Sequence, residues 1–275
     1  MEKPTLLMIL GLGHSGTTIL DLALGSADGV VGVGEGLRML DDSISKGGDD
    51  AWQLLRENRL GEVTCSCGEI GSACPVWSQG RDFLKPDSFA DRADRLLSAA
   101  ASTSPGTRLV IDSTPGGQRY LRHLEHHSVK ILHAVRDMRS WTRSEVNRRK
   151  ISSLRAYAKW SRTTKRMAQE LSEFGSDYFR IGYEEFALNP VGTLQSLCAW
   201  LELDYRSEML EPAKNTKSHV ISGNPFLRRT GQAAQITYDG KWLSNSDARF
   251  SDALAFALLA NRNRQLVYGN GLIGQ

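Results

Sequence analysis

A glycine-rich turn near the start of the chain has the residue types that hold phosphate. It reads G-L-G-H-S-G-T-T over residues 11–18, after the apolar run Leu6–Leu10 and before an apolar stretch suited to a helix. Glycines allow backbone N–H groups to approach an anion, and the N-terminus of the following helix adds partial positive charge. The sequence therefore predicts a strand, a phosphate-binding loop and a helix, in that order.

The loop departs from the pattern of triphosphate-binding proteins at one position. The spacing of Gly11 and Gly16 matches a Walker A loop, but Thr17 stands where that motif has lysine. The Walker lysine contacts the β- and γ-phosphates, so its absence removes the main local counter-charge of a triphosphate. The pattern argues against an ordinary NTPase, although a P-loop kinase or NTPase stays open as an alternative.

A second candidate phosphate site follows a mid-chain strand. Arg136 comes directly after the segment Lys130–Val135, and Ser144 follows on the next predicted helix. An arginine fork and a serine hydroxyl together can hold a phosphate monoester. Taken alone, this arginine-rich stretch is better interpreted as a basic, solvated helix face. The phosphate interpretation gains support because Arg136 lies at a strand-to-helix junction of a sheet that already has a phosphate loop.

The elements that must position these residues alternate along the chain. Strands are predicted at Leu6–Leu10, Leu109–Asp112, Lys130–Val135 and Tyr178–Ile181. Helices are predicted to begin at Thr17, near Asp87, after Pro115, after Asp137, near Ser152, after Pro190 and near Asp247. Strands separated by helices imply a parallel sheet that binds ligands beyond its carboxyl ends. We expect one α/β domain over residues 1–275, with a three-layer P-loop-like fold and a lid loop within residues 215–240.

Bulk composition is consistent with one domain that binds a small anion. The chain has 275 residues, 40% hydrophobic content and a formal net charge of +3. This length suffices for one large core, and so mild a basic balance is weak evidence for nucleic acid, which we do not expect as a partner. We recognise neither a signal peptide nor a stretch long enough to span a membrane, so we expect a cytoplasmic protein.

The two phosphate motifs, G-H-S-G-T-T and R-x7-S, together resemble the sulfotransferases that use 3′-phosphoadenylyl sulfate (PAPS), in their bacterial branch. The resemblance implies transfer of a sulfuryl group to a hydroxyl without a metal, with release of 3′,5′-adenosine bisphosphate. It assigns the 3′-phosphate to Arg136 and Ser144. It assigns the 5′-phosphosulfate to the loop residues Gly13, His14, Ser15, Gly16, Thr17 and Thr18.

Further segments extend the resemblance over most of the chain. R-I-G-Y-E-E-F is similar to the family segment whose tyrosine lies near adenine, here Tyr183. S-G-N-P-F-L-R-R is similar to the loop that closes over the 3′-phosphate, which implies a role for Arg228 and Arg229. V-G-V-G-E-G-L-R resembles the segment that carries a glutamate base in some relatives, which makes Glu35 the candidate base. Asp112, in V-I-D-S-T-P, is the second candidate.

Two positions differ from the family pattern. His14 stands where relatives have lysine or arginine, and a protonated histidine could neutralise the leaving oxygen or act as a general acid. Pro115 stands where many bacterial relatives have another lysine, a charge that Arg38 or Arg119 could replace. A nucleotide-binding homologue with weak catalysis is therefore a further alternative. The resemblance leaves the acceptor open among small-molecule, glycan and lipid hydroxyls.

Three cysteines lie close together in the sequence. Cys65, Cys67 and Cys74 have no fourth ligand nearby, and Cys-x-Cys is a poor spacing for structural zinc, so we predict a structural loop and no metal. Cys198 lies in an apolar helix and is predicted to be a core residue. His219 is left open as a possible contact of substrate or nucleotide.

Overall fold

Five parallel strands form one sheet in the computed structural model of the chain, which describes residues 3–44, 51–85, 87–222, 235–243 and 250–272. The strands lie in the order β2-β3-β1-β4-β5, and every pairing is parallel. Their bounds are β1 Thr5–Gly11, β2 Val30–Gly32, β3 Leu109–Asp112, β4 Val129–Val135 and β5 Tyr178–Gly182. The predicted α/β fold with a central parallel sheet is confirmed.

Helices connect the strands and cover both faces of the sheet. They are α1 Thr17–Leu24, α2 Gly36–Met39, α3 Ala51–Arg56, α4 Gly80–Phe83, α5 Phe89–Ser102, α6 Met138–Arg149, α7 Ser153–Leu171, α8 Tyr183–Leu188, α9 Pro190–Leu201, α10 Pro212–Asn215 and α11 Phe250–Val267. Short 3₁₀ helices span Leu60–Glu62, Trp77–Gln79, Gly117–His123, Ser172–Asp177 and Ser207–Leu210. Within the described ranges, no helix is long and apolar enough to cross a membrane.

Capping residues explain why several helix starts could be predicted. The Ser88 hydroxyl accepts the N–H of Asp91 at 3.2 Å, and the Asp91 carboxylate accepts the N–H of Ser88 at 3.3 Å. This reciprocal capping box fixes the start of α5. Ser152 caps α7, and Asn189 caps α9 with Pro190 in its first turn. Each cap satisfies backbone N–H groups that a helix start leaves without internal partners.

Alternating side chains of β1 divide the core into two layers. Leu6, Met8 and Leu10 pack with α5 on one face, whereas Leu7 and Ile9 pack with α1 and α9 on the other. Successive side chains of a strand point to opposite faces, so a strand covered on both sides is apolar throughout. The helix–sheet–helix layering that the sequence predicts is thus built around β1, the strand that leads into the glycine loop.

One strand and one helix differ from the sequence prediction, and the predicted lid lies largely outside the described residues. Val30–Gly32 is a strand that was not predicted, because only three residues pair with β3. The segment after Pro115 forms a 3₁₀ helix, Gly117–His123, instead of an α-helix. The expected lid falls largely on residues 223–234, which lie outside the described residues together with Arg228 and Arg229. The described part that follows, residues 235–243, packs against α6.

Candidate active site

The carboxyl ends of all five strands lie along one edge of the sheet. The glycine loop follows β1, Glu35 follows β2, Asp112 ends β3, Arg136 follows β4 and Tyr183 follows β5. The connection after β1 runs to β2 on one side of the sheet, and the connection after β4 runs to β5 on the other side. Because these two connections diverge, a crevice opens between β1 and β4. The fold therefore gathers candidate residues from distant parts of the sequence at this edge.

The glycine loop makes a tight left-handed turn before α1. His14 has φ 71° and Gly16 has φ 84°, both in the left-handed region. A Cβ atom at Gly16 would lie 2.3 Å from Cδ2 of Tyr183, so only glycine fits against that ring. Gly16 is also the N-cap of α1 and has no side chain with which to cap the helix. The first-turn N–H groups of α1 are therefore suited to an anion.

Two donors from β4 and α6 fix the carbonyl groups of the loop. The indole Nε1 of Trp141 donates to the carbonyl of Gly13 at 2.9 Å. Nη1 of Arg136 donates to the carbonyl of His14 at 2.9 Å. Trp141 is also buried, so it both packs in the core and holds the loop. Together these contacts make the loop and the β4–α6 junction one unit.

His14 is held next to an arginine that sequence reasoning did not assign to the site. Nη1 of Arg148 lies 2.8 Å from Nε2 of His14, and because a guanidinium only donates, Nε2 accepts. Partial desolvation, Arg148 and Arg136 all lower the pKa of His14, in that order. This setting disfavours the imidazolium that the sequence suggested, and it places the cation of the loop on Arg148. The several arginines close together in the sequence of α6 were the signal that could have identified Arg148 as a site residue.

Arg136 is buried and contacts three different groups beside the loop. Its Nε donates to the Ser140 hydroxyl at 3.0 Å, and its Nη2 lies 2.5 Å from a carboxylate oxygen of Asp239. Its guanidinium also lies over the ring of Tyr183, 5.1 Å from the centroid. Ser144, the predicted partner, is half-buried on α6 one turn beyond Ser140 and on the same helix face.

The segment 235–243 is fastened to the body at this point. The Tyr183 hydroxyl donates to the carbonyl of Thr237 at 2.7 Å, and the Arg139 guanidinium lies 3.9 Å from the ring centroid of Trp242. With the ion pair between Arg136 and Asp239, these contacts join residues 235–243 to Arg136, Arg139 and Tyr183. The carboxylate of Asp239 thus pairs with Arg136, a guanidinium that is also suited to bind phosphate.

Glu35 begins the short helix α2 and is held by a neighbouring cation. It is buried, and its Oε2 accepts from Nη1 of Arg38 at 2.7 Å. Arg38 therefore lies at the candidate base. Arg119, the other candidate replacement for the missing lysine, donates to the Tyr120 hydroxyl at 2.6 Å and lies 3.5 Å from Asp41.

Asp112 holds α2 in place. Its Oδ2 accepts the N–H of Leu37 at 2.7 Å, and its Oδ1 accepts the N–H of Thr114 at 3.0 Å. The side chain is fully buried, and this burial raises its pKa to about 7. Because both oxygens are used by backbone groups, the geometry favours a positioning role for Asp112 over the role of second candidate base.

Asp21 is a buried carboxylate that no sequence motif identified. It accepts hydrogen bonds from the Gly34 N–H at 3.1 Å, the Ser113 hydroxyl at 2.9 Å and the Ser218 hydroxyl at 2.8 Å. Burial raises its pKa to about 6. These bonds tie α1 to the loop that carries Glu35, to the end of β3 and to residues 216–222.

A cavity of about 300 Å³ lies beyond α2. Its walls include Leu40, Phe89, Arg92, Arg119 and Tyr120. The sequence segments expected to line an acceptor pocket, 31–40 and 113–120, both reach this cavity at their last residues. The ring of Phe89 stacks on Tyr120 at 4.9 Å between centroids, which gives the wall a flat apolar surface beside the arginines.

The three clustered cysteines meet His219 in the folded chain. The ligand atoms of Cys65, Cys67, Cys74 and His219 all lie within 4.8 Å of one another. The sequence analysis found no fourth ligand nearby, and the fold supplies one from a remote segment. His219 therefore contacts the cysteines. Cys198 is buried in the core, as predicted.

The parallel sheet, the glycine loop after β1 and the buried Arg136 beside that loop together form a candidate anion-binding site. The sequence profile of the Sulfotransferase family matches residues 4–207, and the chain belongs to that family. A search of curated proteins gives no match.

Two solved structures share the fold over nearly the whole chain. One is the sulfotransferase domain of the Synechococcus PCC 7002 olefin synthase, with 22% identity and a TM-score of 0.64 over 95% of both chains. The other is the sulfotransferase domain from the curacin biosynthetic pathway, with 18% identity and a TM-score of 0.58 over 94% of this chain and 91% of that one. At these identities, the likeness is one of fold.

Proposed function

We propose that this protein transfers a sulfuryl group from PAPS to a hydroxyl group of an acceptor molecule. The observation that carries the proposal is the junction of the glycine loop with Arg136 and Tyr183 at the crevice between β1 and β4. The uncapped start of α1 suits one phosphate group, and the buried guanidinium suits another. A nucleotide with phosphate groups at both its 5′ and 3′ positions fits such a pair of sites.

The nucleotide would lie across the crevice with its 5′ end on the loop. The amides of residues 13–18 and the hydroxyls of Ser15, Thr17 and Thr18 would hold the phosphosulfate. Arg136 and Ser144 would hold the 3′-phosphate, and Tyr183 would lie near adenine. The 3′-phosphate would take the guanidinium contact that Asp239 now makes. Arg228 and Arg229 stay predictions as further 3′-phosphate ligands.

Glu35 is the proposed general base of the transfer. Its carboxylate takes the proton of the acceptor hydroxyl while that oxygen forms a bond to sulfur. The bond from sulfur to the bridging oxygen of the 5′-phosphate breaks at the opposite side, and 3′,5′-adenosine bisphosphate leaves with the electron pair. Arg38 keeps Glu35 in position through a salt bridge of 2.7 Å.

Arg148, acting with His14, is the proposed cation for the leaving group. A neutral His14 whose Nε2 accepts from Arg148 carries its proton on Nδ1 and can donate a hydrogen bond there. The guanidinium behind it supplies charge that does not depend on pH near neutrality. Fixed donors and charge of this kind lower the barrier by stabilising the charge that develops on the leaving group.

The acceptor stays a proposal at the level of a small-molecule, glycan or lipid hydroxyl. The two similar folds come from biosynthetic proteins, which supports a hydroxyl on a biosynthetic intermediate. The cavity beside Arg119 and Tyr120 is the proposed place for part of that molecule. A cytoplasmic location, where PAPS is made, is consistent with this proposal.

The test is transfer of labelled sulfur from PAPS to a panel of phenol, alcohol and sugar acceptors, with release of the bisphosphate followed in parallel. We expect equal amounts of sulfated product and bisphosphate, with no requirement for Mg²⁺. Transfer of the γ-phosphate of ATP in the presence of Mg²⁺, with no transfer from PAPS, would instead support a P-loop kinase. Binding of the bisphosphate with no transfer to any acceptor would support the weakly catalytic homologue.

A further inference from the structure

Four metal-ligating side chains converge at a point where two remote segments of the chain meet. Cys65 and Cys67 lie on one hairpin, Cys74 follows it, and His219 comes from the strand-like segment after α10. Cys65, Cys74 and His219 are buried, and Cys67 is half-buried. Nothing in the proposed sulfuryl transfer uses these side chains, so they need a separate explanation.

Two of the distances between the ligand atoms are close to the edges of a zinc tetrahedron. Zinc bonds of about 2.3 Å to sulfur and about 2.0 Å to nitrogen give edges of about 3.8 Å between two sulfurs and about 3.5 Å between sulfur and nitrogen. Sγ of Cys74 lies 3.6 Å from Sγ of Cys65 and 3.3 Å from Nδ1 of His219. Cys67 completes the group within 4.8 Å.

The hairpin that carries the first two cysteines is shaped as a tight turn. Gly68 has φ 93°, and its N–H donates to the carbonyl of Cys65 at 3.0 Å. The N–H of Cys65 donates to the carbonyl of Glu69 at 2.8 Å, and Thr64 pairs with Ile70 in an antiparallel bridge. This turn brings the side chains of Cys65 and Cys67 to the same point, although Cys-x-Cys is an unusual spacing for zinc.

The backbone of His219 is held from both sides. Its N–H donates to the carbonyl of Gly32 at 2.6 Å, and its carbonyl accepts from Nε1 of Trp77 at 2.6 Å. Ser66 in the hairpin accepts the N–H of Val220 at 2.8 Å and donates its own N–H to the carbonyl of Val220 at 3.0 Å. These bonds hold the backbone of His219 where Nδ1 of its ring lies 3.3 Å from Sγ of Cys74.

The donor set selects among the possible occupants. All four cysteines of the chain are free, and 3.6 Å between Sγ atoms is far beyond a disulfide bond. Three thiolates and an imidazole in tetrahedral arrangement are typical of structural zinc, and soft sulfur ligands disfavour magnesium and calcium. All four positions are filled by the protein, so no position is left for a substrate.

We propose that Cys65, Cys67, Cys74 and His219 bind one Zn²⁺ ion in a closed, structural site. Binding would release one proton from each thiol to solvent and leave the ion with three thiolates and a neutral imidazole. The ion would join the 60–80 segment to residues 218–220. Ser218, next to His219, bonds to Asp21, which in turn holds the loop of Glu35. The site would therefore stabilise that loop from outside the transfer chemistry.

The direct test is the metal content of the full chain purified in reducing buffer without chelators. We expect about one zinc per chain by elemental mass spectrometry, because four protein ligands hold such an ion tightly. The variants Cys74→Ser and His219→Ala should lose it, and the matched control Cys198→Ala should keep it. Chelation of zinc from the wild-type protein should lower its melting temperature, and added zinc should restore it.

A second measurement covers variants that fail to fold. Wild-type protein stripped of zinc should take up Co²⁺ and develop the visible absorption of tetrahedral cobalt with thiolate ligands. Reduced wild-type protein that contains no zinc and binds neither Zn²⁺ nor Co²⁺ would overturn the proposal. A disulfide between Cys65 and Cys74 in the freshly purified protein, shown by peptide mass mapping, would also overturn it.

Discussion

The two halves of the carboxyl edge are built in different ways. At the ends of β1, β4 and β5, the chemistry comes from loops and helix starts directly after each strand. Beside the ends of β2 and β3, Asp21 of α1 accepts hydrogen bonds from Gly34, Ser113 and Ser218, and Asp112 accepts one from Leu37. Both halves are tied together by contacts between remote segments, but sequence motifs identify the residues of the proposed nucleotide side, whereas no motif identified Asp21 on the side that carries Glu35.

The charges of the two halves also differ in what they do. Arg136 and Arg148 on the nucleotide side surround the glycine loop with positive charge. Asp21 and Asp112 on the other side are fully buried and accept hydrogen bonds from the groups that shape the Glu35 loop. In the proposed function, one half would bind an anion, whereas the other would hold one carboxylate in position. Changes on the two sides should therefore separate binding from turnover and stability.

The largest expected effect is on turnover at Glu35. Glu35→Gln removes the proposed base, so we expect kcat with PAPS and a hydroxyl acceptor to fall by about 10² to 10⁴. Affinity for 3′,5′-adenosine bisphosphate should stay unchanged, since that ligand lies in the other half. Glu62→Gln, an exposed change, is the control. Full turnover of Glu35→Gln over the whole pH range would remove the base assignment.

The next effect is on stability at Asp21. Asp21→Ala leaves the Gly34 N–H and two buried hydroxyls without their acceptor, so we expect the free energy of unfolding to fall by about 3 kcal/mol. Urea denaturation measures this loss. Asp28→Ala removes an exposed carboxylate paired with Lys217 and Arg206 and should cost much less, because exposed ion pairs contribute little to stability. Equal losses in the two variants would contradict the positioning role of Asp21.

A smaller effect is the pH dependence that Asp112 contributes. Its folded pKa of about 7 lies above the ordinary value of 3.8, so the folded protein holds this proton more tightly than the unfolded chain. The stabilising contribution is present below pH 4 and is lost as pH rises through 7. Between pH 5 and pH 8, the free energy of unfolding of the wild type should therefore fall relative to that of Asp112→Asn, as measured by urea denaturation. A constant difference would show that Asp112 ionises freely.

The smallest effect is at Arg148, whose side chain lies near the surface. Arg148→Gln should raise the pKa of His14 toward its ordinary value, as followed by NMR of the imidazole protons, and should lower kcat by about tenfold. Arg149→Gln removes a more weakly acting charge and should shift His14 less. A larger shift in Arg149→Gln would contradict the contact between Arg148 and His14.

The same division between the halves sets what the sequence could predict. Local sequence patterns predict four strands and three capped helices, namely β1, β3, β4, β5, α5, α7 and α9. The glycine loop and Arg136 directly follow two of these strands, so they could be predicted as well. β2 has only three paired residues and gives little periodic signal. Asp21 and His219 could not be assigned, because their partners lie far away in sequence and become neighbours only in the fold. His14 was assigned by position, but the desolvation and the nearby Arg148 of α6 that lower its pKa become visible only in the fold.

The measurement that tests the account most directly is calorimetric titration with 3′,5′-adenosine bisphosphate, run beside ATP with Mg²⁺. The bisphosphate needs no knowledge of the acceptor. We expect it to bind more tightly than ATP, and we expect Arg136→Ala to weaken it by at least about tenfold while adenosine 5′-monophosphate is little affected. Tight binding of ATP with Mg²⁺ and no binding of the bisphosphate would contradict the account and would support a P-loop kinase instead.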